Sequence, residues 1–144
     1  MIGLTLRLRS LSVLDPPPWY SSEVYIRYQS PTPDHRGRHI GIFGLVNQLG
    51  HRGLLTPEEE AFRRENNAWY DATYTNPSHV DPTVYADNLL AAAWFKPTAT
   101  HLFDRIPGYL TILAAHAIPC TRHTSPNPGQ ILYEDPHQIV VIPH

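Results

Sequence analysis

The sequence contains one cysteine, one lysine and no long uninterrupted apolar segment, and these scarcities exclude several classes of protein. Because Cys120 is alone, it cannot form an intramolecular disulfide, which excludes a small disulfide-stapled secreted scaffold and favours a reducing, cytoplasmic setting. The N-terminal segment interrupts its apolar residues with Thr5, Arg7 and Arg9, so it lacks the apolar centre of a signal peptide. It is also too short to span a bilayer. The sequence therefore predicts a cytoplasmic protein without a membrane partner.

An excess of positive charge is lacking as well. The chain carries 11 basic and 13 acidic residues, for a net charge of −2, and Lys96 is its single lysine. Proteins that bind nucleic acid through its phosphates usually present a broad positive field. Nucleic acid is therefore disfavoured as a partner.

The length and composition suit a single globular domain spanning residues 1–144. The chain has 144 residues, of which 42% are hydrophobic and 17% charged, enough for one domain with a substantial core. Two domains of ordinary size would not fit within this length. No internal repeat is visible.

Alternation of apolar and polar residues predicts two strands early in the chain. Residues 4–8 place their leucines on one face, and residues 22–29 alternate in the same way after a proline-rich break. In the second strand, Ile26 belongs to the apolar face and Arg27 to the opposite face. A half-buried sheet is therefore expected.

The clearest helix signal begins at Thr56. A hydroxyl N-cap, a proline at the first helical position and Glu59 at N3 form a capping box, and an apolar stripe continues to about Tyr74. Proline-containing turns at residues 76–78 and 81–83 then mark a long connection. Such a connection is a candidate lid.

The second half of the chain predicts one strand, one interrupted helix and three further strands. Residues 91–96 favour a strand, and residues 98–116 carry a helical stripe that Pro107 and Gly108 should kink or split. Three short strands, suggesting an antiparallel meander, are expected at residues 118–123, 130–134 and 139–142. This order argues for an α+β fold with a mostly antiparallel sheet and two or three helices packed on one face.

A glycine- and arginine-rich segment is the most suggestive feature for function. It lies directly ahead of residues 40–49, which predict a short helix or a buried turn, and it combines permanent positive charge with a backbone that permits close approach. The amides at a helix N-terminus would favour an anion there. The glycine spacing matches neither the dinucleotide fingerprint nor a P-loop, and an ordinary solvated loop is the alternative. The predicted ligand-binding residues are Arg36, Arg38, His39 and Gly41.

Three histidines close to this segment raise the question of a metal. His35, His39 and His51 could supply imidazole ligands. However, Gly37 lies between the first two and opposes the regular helix that would align them, and no thiolate cluster or metalloprotease motif accompanies them. We therefore predict neither a metal site nor a cofactor.

A second candidate site lies at the last predicted hairpin. Glu134 or Asp135 can act as a general base there, and His137 as an acid near neutral pH. Lys96 follows two aromatic residues, so a desolvated amine is a further candidate. The alternatives are polar residues that solvate a turn and a lysine whose stem covers apolar surface. The predicted catalytic residues are Glu134, His137 and Lys96.

These features lead to three functional hypotheses. The first is a small soluble protein that binds an anionic small molecule or a protein partner through the glycine- and arginine-rich segment. The second is a metal-independent hydrolase or transferase with an acid/base pair at the last hairpin. The third is a regulatory or immunity-like protein that binds a partner through exposed aromatic residues.

Overall fold

The computed structural model describes residues 24–144, which form a five-stranded antiparallel sheet and several helices. The strands are β1 (Tyr25–Gln29), β2 (Ala92–Phe95), β3 (Thr121–Ser125), β4 (Gly129–Glu134) and β5 (Gln138–Pro143). The helices are α1 (Ile42–His51), α2 (Pro57–Thr73), α3 (Pro77–Val80), α4 (Thr83–Ala86), α5 (Thr100–Phe103) and α6 (Ile106–Ala115). The predicted α+β class is confirmed, while the strand predicted at residues 4–8 lies outside the described residues.

Helix α2 begins where its capping box predicted. The Thr56 hydroxyl accepts a hydrogen bond from the Glu59 amide at 3.1 Å, and the Glu59 carboxylate accepts one from the Thr56 amide at 2.9 Å. The Nε2–H of His116 donates to the same carboxylate at 2.9 Å, which ties the end of α6 to the start of α2. Local sequence and a tertiary contact thus fix the same helix end.

The predicted interrupted helix is split in two, but the break lies earlier than expected. Helix α5 ends at Phe103 and α6 begins at Ile106, so Pro107 falls in the first turn of α6, where a proline needs no hydrogen-bonded amide. A Cβ at Gly108 would collide with the ring of Phe62, so the glycine permits close packing of α6 on α2.

The strand order is β3-β1-β2-β5-β4. The predicted meander of the last three strands is wrong, because β3 pairs with β1, with Arg27 opposite His123, while β4 and β5 form a hairpin at the other end of the sheet. Strand β2 joins the two halves of the sheet. Its Phe95 pairs with Ile26 of β1, and its Ala93 pairs with Val140 of β5. The order depends on long-range contacts that local sequence patterns do not specify.

Two different clusters of side chains pack on the two faces of the sheet. The helices bury one face in a core that includes Ile42, Val46 and Tyr109, with Tyr28 and Phe95 of the sheet packed against it. Alternation along the strands places a second cluster on the other face, formed by Tyr25, Trp94, Ile139 and Val141. Arg27 shares this second face because it lies two residues after Tyr25.

The connection between α2 and β2 contains two single-turn helices rather than an unstructured loop. Asn76 caps α3 by accepting a hydrogen bond from the Ser78 amide at 3.0 Å. Asp81 accepts one from the Thr83 amide at 3.0 Å ahead of α4. Beyond α4 the chain passes beside the glycine- and arginine-rich segment before it enters β2.

Candidate functional site

Asp34 organises the glycine- and arginine-rich segment into a tight turn. One oxygen of its carboxylate accepts hydrogen bonds from the amides of Arg36 and Arg38, both at 2.9 Å. The other accepts from Nε and Nη2 of Arg38 at 3.0 and 2.9 Å. The hydrogen bond from the Arg38 amide is the main reason that the pKa of Asp34 falls to about 2. Gly37 completes the turn with a φ of +80°, which side-chain-bearing residues rarely adopt.

This turn changes what each predicted binding residue contributes. Arg38 and His39 line a cavity, but the positive charge of Arg38 is paired with Asp34. Arg36 is exposed on the turn and does not line that cavity. The Nδ1–H of His39 donates to the carbonyl of Ser30 at 2.9 Å, which fixes the ring.

Arg27 is the residue that the sequence interpretation missed. Its guanidinium donates from Nε to Gln29 Oε1 at 2.7 Å, from Nη1 to the Ala93 carbonyl at 2.8 Å and from Nη2 to the His39 carbonyl at 2.9 Å. All of these acceptors are neutral. Within residues 24–144, no carboxylate forms an ion pair with Arg27, and burial lowers its pKa to about 10. The side chain is therefore a positive charge held in place without a counter-charge from the described part of the chain.

The arginine cavity, which has a volume of about 360 Å³, lies beside this guanidinium. Its polar side is formed by Arg27, Gln29, Arg38 and His39. Its remaining walls are mainly apolar, from Leu90, Ala91, Ala92, Trp94, Pro128 and Pro143, with His144 also contributing. A cationic end and an apolar body thus coexist in one concavity of the size that small-molecule sites have.

A smaller cavity of about 200 Å³ continues from Arg27 towards the start of α1. Gly41 is the N-cap of α1, no side chain caps the helix, and its first turn has no acidic residue. A Cβ at Gly41 would lie 3.3 Å from Nη2 of Arg27, so the guanidinium packs directly against the helix N-terminus. The positive end of the helix dipole and the arginine charge therefore reinforce each other.

The three predicted catalytic residues are neighbours, but of the three only His137 lines one of the cavities described here. Lys96 forms an ion pair with Glu134 at 2.5 Å, and its backbone amide donates to the carbonyl of His137 at 2.8 Å. The His137 ring lies against Tyr74, with ring centroids 5.0 Å apart, and lines a separate aromatic cavity. Glu134 and Lys96 line neither that cavity nor the arginine cavity.

Within the described part of the chain, the surroundings of Cys120 and of the histidines favour neither a reactive thiolate nor a metal site. Cys120 packs against the helix-side core, and burial raises the pKa of its thiol, so the thiolate is disfavoured. Nε2 of the nearby His123 lies 2.8 Å from the Thr121 hydroxyl rather than beside the thiol. Among residues 24–144, no group of three or more histidine, cysteine, aspartate or glutamate side chains could hold a metal ion.

Two further observations concern the chain as a whole. None of the helices within residues 24–144 is long and apolar enough to cross a bilayer. The environment of Arg27 links β1, β2 and the glycine- and arginine-rich segment through hydrogen bonds to Gln29, Ala93 and His39.

Comparison of the chain with protein-family models, curated proteins and solved structures finds no match.

Proposed function

We propose that the protein binds a small organic anion in the arginine cavity, with the negative group against Arg27. The observation that carries this proposal is the desolvated guanidinium, held by neutral acceptors and lacking a carboxylate partner within residues 24–144. Burial of an unpaired charge is unfavourable, and an anionic guest offsets that cost. The N-terminus of α1, which lies beside Arg27, also favours a negatively charged guest.

The charges and walls of the cavity favour one class of anion. Because Asp34 neutralises Arg38, Arg27 supplies the uncompensated positive charge of the polar side. A monoanion such as a carboxylate matches one positive charge better than a phosphate dianion does. Trp94, Leu90 and the prolines provide apolar surface for the rest of the guest. A carboxylate attached to a ring or a short hydrocarbon chain therefore fits best.

The proposal is tested by titrating the full chain with benzoate and with benzamide, its neutral counterpart of similar shape. Isothermal titration calorimetry gives the affinities, and NMR chemical shifts locate the site. We expect benzoate to bind in a saturable way, with shifts at Ala92 and Trp94, and benzamide to bind at least about tenfold more weakly, equivalent to about 1.4 kcal/mol. Equal affinity for the two probes, or no saturable binding of benzoate, would contradict the proposal.

Matched variants identify which arginine is responsible. Arg27→Gln removes the charge and keeps an amide donor, whereas Arg64→Gln removes an equal charge from an exposed position on α2. Benzoate affinity should fall in the first variant and stay unchanged in the second. The double variant Arg36→Ala and Arg38→Ala should have a smaller effect than Arg27→Gln, because Arg36 lies outside the cavity and Arg38 is already paired. Thermal unfolding of each variant checks that the fold is retained.

The other two hypotheses stay predictions. A metal-independent hydrolase or transferase would have to separate Glu134 from Lys96 before the carboxylate could act as a base. A regulatory or immunity-like protein would present a surface, and Val80, Leu89 and Leu90 are exposed apolar residues in the connection before β2. The arginine cavity is preferred to both because Arg27 has no carboxylate partner within residues 24–144.

A further inference from the structure

The aromatic cavity that His137 lines has a volume of about 190 Å³ and lies on the opposite face of β2 from the arginine cavity. Ala93 and Phe95 line it, whereas Ala92 and Trp94 line the arginine cavity, as the alternation of side chains along a strand requires. The residues of this aromatic cavity that carry the argument are Phe43 of α1, Tyr70, Asp71 and Tyr74 of α2, and His137.

The rings around this cavity form a connected set. The Phe43 and Tyr70 ring centroids are 4.8 Å apart with an angle of 64° between the planes, and Tyr74 stacks 6.2 Å from Tyr70. His137 then meets Tyr74 edge to face at 5.0 Å. The Tyr70 hydroxyl donates to the carbonyl of Leu102 at 2.5 Å, so its hydrogen-bond donor is already used. The Tyr70 hydroxyl is therefore not free to donate into the cavity.

Charge distinguishes this cavity from the arginine cavity. Of the lysine and arginine residues between positions 24 and 144, none is among its lining residues. Asp71 lies on its wall, is exposed, and forms no ion pair within residues 24–144. The side-chain amide of Gln138 donates to the Thr75 carbonyl at 2.7 Å and to Asp135 at 3.1 Å, so both of its N–H donors are used. Among the described lining residues, Asp71 is therefore the carboxylate that can act as a counter-charge.

The same aromatic cluster already holds a cation just outside the cavity. The guanidinium of Arg105 lies 4.0 Å from the centroid of the Trp69 ring, and Trp69 meets Tyr70 edge to face at 5.1 Å. Arg105 also donates to Asn66 at 2.8 Å and is not among the residues that line the cavity. Aromatic faces attract cations through their quadrupoles, most strongly where water is excluded.

We infer that the aromatic cavity binds a small organic cation, of the quaternary ammonium or protonated amine class, with Asp71 as its counter-charge. The ring walls supply cation–π attraction and apolar contact, and the carboxylate supplies the opposite charge. A cavity of about 150 Å³ accommodates a single benzene-sized molecule. A guest of that scale fits the 190 Å³ observed here, whereas a drug-sized molecule does not.

Choline and 3,3-dimethyl-1-butanol test this inference because they share a shape and differ in charge. Each is titrated into the isotope-labelled full chain, and the shifts of the backbone amides are followed by NMR. We expect choline to bind in a saturable way, with the largest shifts at Ala93, Phe95 and His137, and the neutral alcohol to bind about tenfold more weakly. Absence of saturable choline binding, or equal affinity for both probes, would overturn the inference.

Variants separate a charge effect from a general loss of structure. Asp71→Asn should weaken choline binding several-fold, whereas Glu65→Gln, which removes the same charge from an exposed position on α2, should leave it unchanged. Tyr74→Phe keeps the ring and should retain choline binding, while Tyr74→Leu should lose it. Identical choline affinities in the Asp71 and Glu65 variants would also contradict the assignment. Arg27→Gln lies on the other face of the sheet and removes none of the residues that line the aromatic cavity, so saturable choline binding should persist in this variant even where benzoate binding is lost.

Discussion

Arg27 and Gly41 act together at the scale of single residues. Gly41 leaves space for the guanidinium, and the guanidinium donates from its two Nη atoms to the carbonyls of Ala93 and His39. Of the five N–H groups of a guanidinium, these two and the Nε–H are used. The other two have no acceptor within residues 24–144 and are the groups that a bound carboxylate would engage.

We predict that Gly41→Ala weakens benzoate binding by about tenfold, equivalent to about 1.4 kcal/mol. The backbone of Gly41 has φ −72° and ψ 163°, which alanine adopts without strain, so the effect should come from the added Cβ displacing the Arg27 guanidinium. Calorimetric titration measures the affinity. An unchanged affinity would show that the position of Arg27 against α1 does not matter for binding.

A second residue-scale prediction concerns the packing of α6 on α2. Gly108→Ala places a Cβ against the Phe62 ring, and overpacking of this kind typically costs about 1–3 kcal/mol in the free energy of unfolding. Urea denaturation measures that loss. In a Phe62→Leu background, the smaller side chain should reduce the cost of Gly108→Ala, and a double-mutant cycle would then show coupling. Additive effects of the two substitutions would contradict the proposed contact.

At the scale of elements, the start of α2 couples secondary structure to pH. The hydrogen bond from His116 is the main cause of the lowered pKa of Glu59, and the Thr56 amide contributes further. A carboxyl with a lowered pKa stabilises the folded state above its unfolded-state value of about 4.5 and loses that contribution as pH falls through the folded-state pKa. This helix end should therefore weaken in acid.

We predict that Glu59→Gln lowers the unfolding free energy at neutral pH by at most about 1 kcal/mol, as is typical of partly exposed charge pairs. The difference in unfolding free energy between this variant and the unsubstituted chain should shrink below about pH 4.5, because protonation of Glu59 then removes the charge that the substitution removes. Denaturation curves measured from pH 7 down to acid values check this expectation. Glu65→Gln is the control, since Glu65 is exposed and outside the capping box. Its effect on the unfolding free energy should not follow the pH dependence expected of Glu59→Gln.

The elements also show which features the sequence could predict. Helix α2 was predictable because its N-cap, its proline and Glu59 are all local to the helix start. Strands β2 and β5 were recognisable from their short apolar runs between turns. The boundary between α5 and α6 was misplaced because Pro107 favours a first-turn position and therefore starts a helix rather than breaking one.

The site was less predictable than the elements. Arg38, His39 and Gly41 do lie beside a cavity, but the sequence did not show that Asp34 neutralises Arg38. Arg27 was assigned correctly to the face opposite Ile26, yet the enclosure of that face depends on strands far away in the sequence. A charged residue in the middle of a strand with aromatic neighbours was the one available signal.

At the scale of the whole molecule, β5 is the most enclosed strand. Ile139, Val140 and Val141 have no exposed surface, and the strand pairs with β2 on one side and β4 on the other. By contrast, β3 lies at the end of the sheet and most of its residues are exposed or half-buried. Opening β5 therefore requires disruption of both neighbours and both faces.

We predict that the backbone amides of β5 exchange with solvent deuterium more slowly than those of β3. Their exchange should approach the limit set by global unfolding, whereas β3 should also exchange through local opening at the edge of the sheet. Hydrogen–deuterium exchange followed by NMR measures both strands in one experiment. Faster exchange in β5 than in β3 would contradict the central position of β5.

Strand β2 also separates the arginine cavity, which contains the Arg27 charge, from the aromatic cavity, which has Asp71 on its wall. The Ala93 carbonyl accepts a hydrogen bond from Arg27, while the same residue lines the aromatic cavity. A guest that moves this four-residue strand from one side would alter the wall met by a guest on the other side. Thermodynamic reciprocity then requires each occupant to change the affinity of the other by the same factor, whichever enters first.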